Sequence, residues 1–350
     1  MKRSPYIVFL ILLTFFVISF LTNIMGPLIP DLIKGFSLSL TLVAFLPFAF
    51  FIAYGVMSIP SGMMIEKYKE KKVMITAFAV AFLGSLILAL FPNYLSAVGS
   101  LFIIGCGMAM LQVVINPLLR TSGGEENFAF YSVLAQLIFG FASFVSPLVY
   151  SKLVFAMGHD TKDNGLLTYL YTLVPPQLPW ISLYFLFVVI CFFMILIIAV
   201  SKFPAVELKQ DEKAGALATH ITLLKNKQVV LYFIAMICYV GSEQGVANWI
   251  SQFLLSYHGL DPQKIGAETV AYFWGLMTAG GVLGLLLLKI MDSRIVLITF
   301  TGLAIISLLV ALFGTSSMAL MASPELNPGF GMAFIEIELN KLYLEAVSEP

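Results

Sequence analysis

Long apolar runs recur along the whole chain, and they constrain the fold more than any other feature of the sequence. A helix needs about 20 mostly apolar residues to cross the roughly 30 Å hydrocarbon core of a bilayer. Because backbone polar groups in lipid must be hydrogen-bonded within their own segment, each such run predicts a helix. The fold class is therefore all-α polytopic membrane protein, with about ten spans. The runs, of which the last is the weakest, cover residues 5–27, 42–65, 73–91, 95–118, 129–151, 180–201, 229–256, 267–290, 294–314 and 316–335.

Composition agrees with a lipid solvent and narrows the classes of function. Apolar residues make up 60% of the chain and charged residues 11%, against about half and about a quarter in a soluble domain. The formal net charge is +0, which gives no reason to expect a nucleic-acid partner. The three cysteines lie in apolar runs without metal-site spacing, and the three histidines lie in polar stretches. We expect no cofactor and no bound metal.

Basic residues separate the loops into two sets. Lys2 and Arg3 precede the first run, and the loops after the second, fourth, sixth and eighth runs contain most of the other lysines and arginines. The positive-inside rule therefore predicts a cytoplasmic N-terminus, and we expect a multi-pass protein of the plasma (inner) membrane.

A charged and polar segment divides the runs into two groups. We predict an N-lobe of six spans over 1–201, a cytoplasmic linker over 202–228, and a partial C-lobe of three to four spans over 229–335. An amphipathic, acidic tail follows at 336–350. Two groups of spans joined by a linker are typical of transporters built from parallel repeats.

One carboxylic acid stands out in the apolar runs. Glu243 is interpreted as the only acid well inside a span, where an ionised side chain costs about 2.5–3.5 kcal/mol. Gln244, Asn248 and Gln252 follow at four-residue spacing and so share one helix face. This pattern favours a solvated path over a simple contact between helices.

Amide side chains also occur in the N-terminal spans. Gln112 and Asn116 lie four residues apart before Pro117, whose missing N–H loosens the helix ladder. Asn23 lies at a predicted broken end of the first span, and Gln136 lies in the fifth. Amides offer both donors and acceptors to the hydroxyls of a neutral sugar. A plain kink with amide bonds between helices is the alternative interpretation.

Several short stretches, in order along the chain, carry a family resemblance. Together they resemble the fucose–galactose–hexose branch of the major facilitator superfamily over about residues 6–315. The resemblance implies a two-lobe helical bundle with alternating access and a central sugar site. On that basis we expect substrate contacts from Asn23, Gln112, Asn116, Gln136, Gln244, Asn248 and Trp249. The stretches are Asn23–Pro30, Phe36–Ser39, Ser61–Lys67, Gln112–Pro117, Leu134–Gln136 and Tyr239–Glu243 with Asn248 and Trp249.

Three positions depart from the family pattern and affect the expected ion coupling. Gly26 and Gln112 stand where fucose-transporting members have acids, and Gly281 stands where many relatives have arginine. No N-lobe carboxylate suited to carrying protons is then expected, so Glu243 is the candidate coupling residue. A buried carboxylate can bind H⁺ reversibly or help to hold Na⁺, and transport without a coupling ion also stays open.

The loop after the second span resembles the superfamily's loop between helices two and three. We predict a gating loop at Gly62, Glu66 and Lys67, although Glu66 and Lys69 stand where aspartate and glycine are usual. A charged cytoplasmic turn without a gating role is the alternative.

The predicted function is secondary transport of a neutral monosaccharide, hexose or fucose-like, by a monomer in the bilayer. The resemblance ends after Met318–Ala322, and an incomplete second lobe is expected because family members have two further helices. A non-transporting sugar sensor, or a truncated remnant of the fold, is therefore the alternative. An enzyme is not expected, because the spans lack a nucleophile–base pair or metal cluster. An ATP-driven pump is not expected either, since no GxxxxGK[ST] loop occurs.

Overall fold

The chain is helical throughout the part that the structure describes. This computed structural model describes residues 4–158, 172–204, 206, 225–287 and 290–313. Short 3₁₀ turns lie at Glu125–Asn127 and Pro179–Ile181, and a π-helical turn lies at Pro262–Gly266. The α-helices are α1 (Pro5–Thr22), α2 (Met25–Phe36), α3 (Leu40–Tyr68), α4 (Glu70–Leu90), α5 (Tyr94–Gly123), α6 (Phe128–Gly158), α7 (Ser182–Val200), α8 (Lys227–His258), α9 (Ala267–Leu287) and α10 (Ser293–Phe313).

The helices follow the predicted apolar runs. Among the described residues, seven helical segments are long and apolar enough to cross a membrane, from Pro5–Phe36 to Lys227–His258. Helices α9 and α10 coincide with the eighth and ninth predicted runs. The prediction of an all-α membrane fold is confirmed. The tenth run, the acidic tail and most of the predicted linker lie outside the described residues.

Short polar side chains start several of these helices. Ser4 and Ser39 accept hydrogen bonds from the backbone N–H groups of Ile7 and Leu42, at 3.4 and 3.3 Å. Asn93 accepts one from Ser96 N at 3.0 Å. Each cap satisfies a donor that the first helical turn leaves without a partner. The apolar runs therefore become helices with defined starting residues.

The first span extends further than predicted. Helix α1 ends at Thr22, and α2 begins at Met25 and continues to Phe36. Pro27 falls in the first turn of α2, where its missing N–H has no intrahelical acceptor to lose. The predicted boundary at residue 27 is wrong because proline there starts a second helical segment and does not end the span.

The chain divides into two compact units, Met1–Ala214 and Gly215–Pro350. In the N-terminal unit, α5 packs against α1, α3 and α4, while α6 packs against α1 and α4 packs against α7. Glycine permits the closest approaches: a Cβ atom on Gly107 would lie 2.6 Å from the Ala77 carbonyl oxygen, and one on Gly84 would lie 2.8 Å from Ile104 Cγ1. Helices in membranes pack closely through such small residues.

In the C-terminal unit, α8 packs against the π-helical turn and α9. The described core here is a cluster of Tyr239 and Ala247 from α8 with Val270, Phe273 and Trp274 from α9. This cluster fixes the face of α8 that points toward α9, and Glu243 lies on α8 between Tyr239 and Ala247.

Candidate substrate-binding and ion-coupling site

Three of the predicted substrate ligands are exposed although they lie within membrane spans. Gln112 and Asn116 on α5 and Gln136 on α6 all have exposed side chains. At 1.5 Å per residue, Asn116 and Gln136 lie about 10 and 12 Å from the neighbouring helix ends, Gly123 and Phe128. Gln112 lies about 16 Å from Gly123, so all three lie at hydrocarbon depth. Because an exposed amide in lipid would lose its hydrogen bonds, these side chains must meet water or protein.

Asn23 is placed differently from the other predicted ligands. It is 5% exposed at the break between α1 and α2. Its Nδ2 donates to Ser143 Oγ at 2.8 Å and to Ser19 Oγ at 3.4 Å. The two hydroxyls lie 2.7 Å apart, and Ser19 Oγ also donates to the Phe139 carbonyl oxygen at 2.5 Å. Asn23 therefore joins the helix break to α6, and its amide hydrogens are used inside the N-terminal unit.

A second buried acid lies in the first span. Asp31 on α2 is 8% exposed and accepts a hydrogen bond from the hydroxyl of Tyr150 on α6, which is fully buried. Asp31 lies in the part of the first span that extends beyond the predicted end at residue 27, so the sequence prediction did not include it. Asp31 lies about 39 Å along the helices from Pro5, which places it near the membrane boundary opposite the N-terminus.

Glu243 lies at the middle of α8. It is 7% exposed and lies about 24 Å along the helix from Lys227. The Tyr239 hydroxyl donates to its Oε2, and Gln244 Nε2 donates to its Oε1 at 3.0 Å. Asn248 Nδ2 donates to the Gln244 backbone oxygen at 2.8 Å and to Gln244 Oε1 at 3.4 Å. We call these four residues, Tyr239, Glu243, Gln244 and Asn248, the Glu243 hydrogen-bond chain.

The surroundings of the Glu243 hydrogen-bond chain are apolar on one side. Tyr239 and Ala247, one turn before and after Glu243, pack against the α9 side chains of the core cluster. Trp249 is half-buried on α8. Gln252, the last member of the predicted stripe, donates to Ser256 Oγ at 2.8 Å. The structure thus brings Glu243, Gln244 and Asn248 together, adds Tyr239 to them, and bonds Gln252 to the next helical turn.

The residues of the predicted gating loop, Gly62, Glu66 and Lys67, all lie in the last two turns of α3. Glu66 and Lys67 are exposed on the last turn of α3, and the Lys67 Nζ lies 5.0 Å from the ring centroid of Tyr68. Lys69 has a φ of 69°, a conformation that glycine adopts at little cost. This accounts for glycine being usual at that position.

A lysine in the first turn of α4 makes a contact with the end of α7. Lys71 Nζ donates to the carbonyl oxygens of Ala199 and Ser201 at 2.7 and 2.8 Å. These are among the last acceptors of α7, which a cation stabilises. Several lysines lie close together in this part of the sequence, so the sequence alone does not show that Lys71 makes this contact.

Within the described residues, no three His, Cys, Asp or Glu side chains form a group that could hold a metal ion. The arrangement defines a polytopic helical membrane protein with neutral amides in its spans and a hydrogen-bonded carboxyl group at mid-span. The chain belongs to the Major Facilitator Superfamily, whose sequence pattern matches residues 11–349.

The relatives agree with the predicted branch of the superfamily. A glucose/galactose transporter of Brucella abortus is 27% identical over 88% of this chain and 73% of its own length. The L-fucose–proton symporter of Escherichia coli is 26% identical over 72% of this chain and 60% of its own length. The crystal structure of the superfamily transporter FucP in the outward conformation has a TM-score of 0.62 at 21% identity, covering 95% of this chain and 88% of FucP. The predicted resemblance is confirmed.

Proposed function

We propose that the protein is a secondary transporter that moves a neutral monosaccharide, hexose or fucose-like, across the membrane by alternating access. The observation that carries this proposal is the exposure of Gln112, Asn116 and Gln136 at hydrocarbon depth. Three neutral amides within about 6 Å of depth suit a solute that needs donors and acceptors but carries no charge. The names of the relatives support a sugar as that solute.

The site residues take distinct roles in this proposal. Within the N-terminal unit, Gln112, Asn116 and Gln136 offer amides to sugar hydroxyls. Within the C-terminal unit, Asn248 and Gln244 offer amides, and the Trp249 ring offers a face for the apolar side of a sugar. Asn23 holds α1 against α6 through Ser19 and Ser143 and so helps to position the helices that carry the site.

Glu243 is the proposed coupling residue, with H⁺ or Na⁺ as the ion. A buried carboxyl group at the middle of a span is costly unless it is partnered. Tyr239 and Gln244 supply partners for both of its oxygens. A carboxyl group held in this way can bind and release one coupling ion in each transport cycle.

Orientation and partners complete the proposal. The loop from Lys67 to Lys72 faces the cytoplasm together with the N-terminus, by the positive-inside rule. The protein acts as a monomer in the plasma membrane, with sugar, coupling ion and lipid as its partners. It catalyses no covalent reaction.

Uptake by proteoliposomes tests the proposal. Labelled D-glucose, D-galactose and L-fucose are offered to vesicles containing the full chain, under an imposed proton gradient, an imposed Na⁺ gradient, or none. We expect saturable uptake of at least one sugar that exceeds that of protein-free vesicles. Sugar-dependent quenching of tryptophan fluorescence without any uptake would contradict transport and would select a sugar sensor instead.

A further inference from the structure

Two serine hydroxyls beside Asn23 share one backbone carbonyl group of α6. Ser19 on α1 and Ser143 on α6 have their Oγ atoms 2.7 Å apart. Both hydroxyls lie within hydrogen-bond distance of the Phe139 carbonyl oxygen, at 2.5 and 3.0 Å. Asn23 Nδ2 lies 2.8 Å from Ser143 Oγ and 3.4 Å from Ser19 Oγ. We call Ser19, Ser143 and the Phe139 carbonyl group the Asn23 anchor.

The hydrogens available in the Asn23 anchor determine which way the Asn23 amide faces. A hydroxyl has one hydrogen to donate, and an amide nitrogen has two. With its nitrogen toward the serines, the amide donates to both serine oxygens, and both hydroxyl hydrogens are used inside the anchor, which gives four hydrogen bonds. With the amide reversed, only the two hydroxyl hydrogens remain, and they can form at most two bonds. Ser19 and Ser143 therefore fix the amide with its oxygen turned away from them.

This orientation leaves Asn23 Oδ1 as a hydrogen-bond acceptor without a partner among the described residues. The fold does not enclose this oxygen completely, in contrast to the unpartnered hydroxyl oxygens of Ser85 and Ser100. Asn23 lies about 27 Å along the helices from Pro5 and about 20 Å from Phe36, so the oxygen lies well inside the first span. An acceptor at that depth needs a hydrogen bond from water or from a solute.

The other amides of the N-terminal unit are not fixed in this way. Gln112, Asn116 and Gln136 have exposed side chains and no hydrogen-bond partners among the described residues. Each can turn either its N–H groups or its oxygen toward a sugar hydroxyl. Asn23 can only accept, so a hydroxyl that meets it has to donate its hydrogen.

We propose that Ser19 and Ser143 are positioning residues, which hold Asn23 Oδ1 as a fixed acceptor that recognises the hydrogen of one sugar hydroxyl. This inference rests on the proposed sugar transport and concerns the specificity of that site. A fluorine atom has no hydrogen to donate, so fluorine in place of that hydroxyl would face the Asn23 oxygen without a bond and weaken binding. If the amide could reverse, an N–H group would face the fluorine instead.

The test compares Ser143→Ala with Ser146→Ala, its matched control. Ser146 Oγ also bonds α6 to α1, by donating to the Phe20 carbonyl oxygen at 2.7 Å, but it makes no hydrogen bond with Asn23. The assay is counterflow, the exchange of labelled for unlabelled sugar in proteoliposomes, which needs no ion gradient. Its inhibition is measured with D-glucose, D-galactose or L-fucose, whichever the wild type exchanges, and with analogues in which fluorine replaces one hydroxyl at a time.

In the wild type, we expect at least one fluorinated analogue to inhibit counterflow about tenfold more weakly than the parent sugar. Ser143→Ala removes the closer acceptor of the Asn23 amide, so the amide can reverse and this ratio should fall to about threefold or less. Ser146→Ala should keep the ratio of the wild type. A purely structural role in holding α1 to α6 would not separate the two variants in this way.

Equal ratios in the two variants, with counterflow intact, would overturn the inference and leave sugar transport standing. So would a wild type that binds every fluorinated analogue as well as the parent sugar, or a loss of counterflow in both variants. If Ser143→Ala alone loses counterflow, Ser19→Ala replaces it, and an unchanged ratio in that variant would overturn the inference. Wild-type protein without counterflow of any of the three sugars would refute transport itself.

Discussion

The contact between Tyr150 and Asp31 allows a quantitative test of what holds the first span to α6. Tyr150→Phe removes one hydroxyl from a fully buried ring and leaves Asp31, itself 8% exposed, without that donor. A hydrogen bond to a charged group contributes about 1.5–3 kcal/mol. Since 1 kcal/mol corresponds to about 2–4 °C for a unit of 150–250 residues, we expect the midpoint of thermal unfolding to fall by about 3–12 °C.

The assay is the loss of monodisperse protein in detergent on heating, followed by size-exclusion chromatography. Tyr184→Phe is the matched control, because Tyr184 is also buried but its hydroxyl has no hydrogen-bond partner among the described residues. In an Asp31→Asn background the acceptor is neutral, so the effect of Tyr150→Phe should shrink to about half or less. An equal fall in both backgrounds, or no fall in either, would refute the assignment of this energy to the Tyr150–Asp31 hydrogen bond.

Three further changes probe packing, the loop and the sugar site. Gly107→Val places a side chain against the Ala77 carbonyl oxygen, and we expect this overpacking to lower stability by about 1–3 kcal/mol. The same heating assay measures the loss. Gly99→Val is the control, because nothing lies within 4 Å of a Cβ atom at that position. Lys71→Met removes the cation at the end of α7 and should lower stability by about 0.3–1 kcal/mol, whereas the exposed Lys72→Met should not. Asn116→Leu should raise the sugar concentration for half-maximal counterflow about tenfold, and an unchanged value would remove Asn116 from the site.

Much of the fold follows from the sequence because lipid leaves few choices to the backbone. A run of about 20 apolar residues has to be a helix, and this requirement places α3 to α8 without any tertiary information. The first span shows the limit of the approach. From sequence, Pro27 is interpreted as a helix end. In the structure the helix breaks earlier, at Asn23, and a new helix starts at Met25, so Pro27 falls in a first helical turn, where proline is tolerated.

One part of the candidate site can be predicted from sequence because it lies on a single helix. The four-residue spacing of Gln244 and Asn248 is a property of one helix, so their proximity to Glu243 can be expected from sequence. Contacts between helices cannot be read in this way. The bonds of Asn23 with Ser143, and of Asp31 with Tyr150, join residues more than 100 positions apart, and no local pattern predicts them.

Counterflow in proteoliposomes tests the central claim most directly, since it requires transport of a sugar and no assumption about the coupling ion. We expect labelled L-fucose, D-galactose or D-glucose to enter vesicles preloaded with the same unlabelled sugar, and we expect Gln112→Leu combined with Gln136→Leu to abolish that entry. Equal entry into vesicles containing the double variant would contradict the proposed site. No entry above protein-free vesicles for any of the three sugars, with folded wild-type protein, would contradict sugar transport.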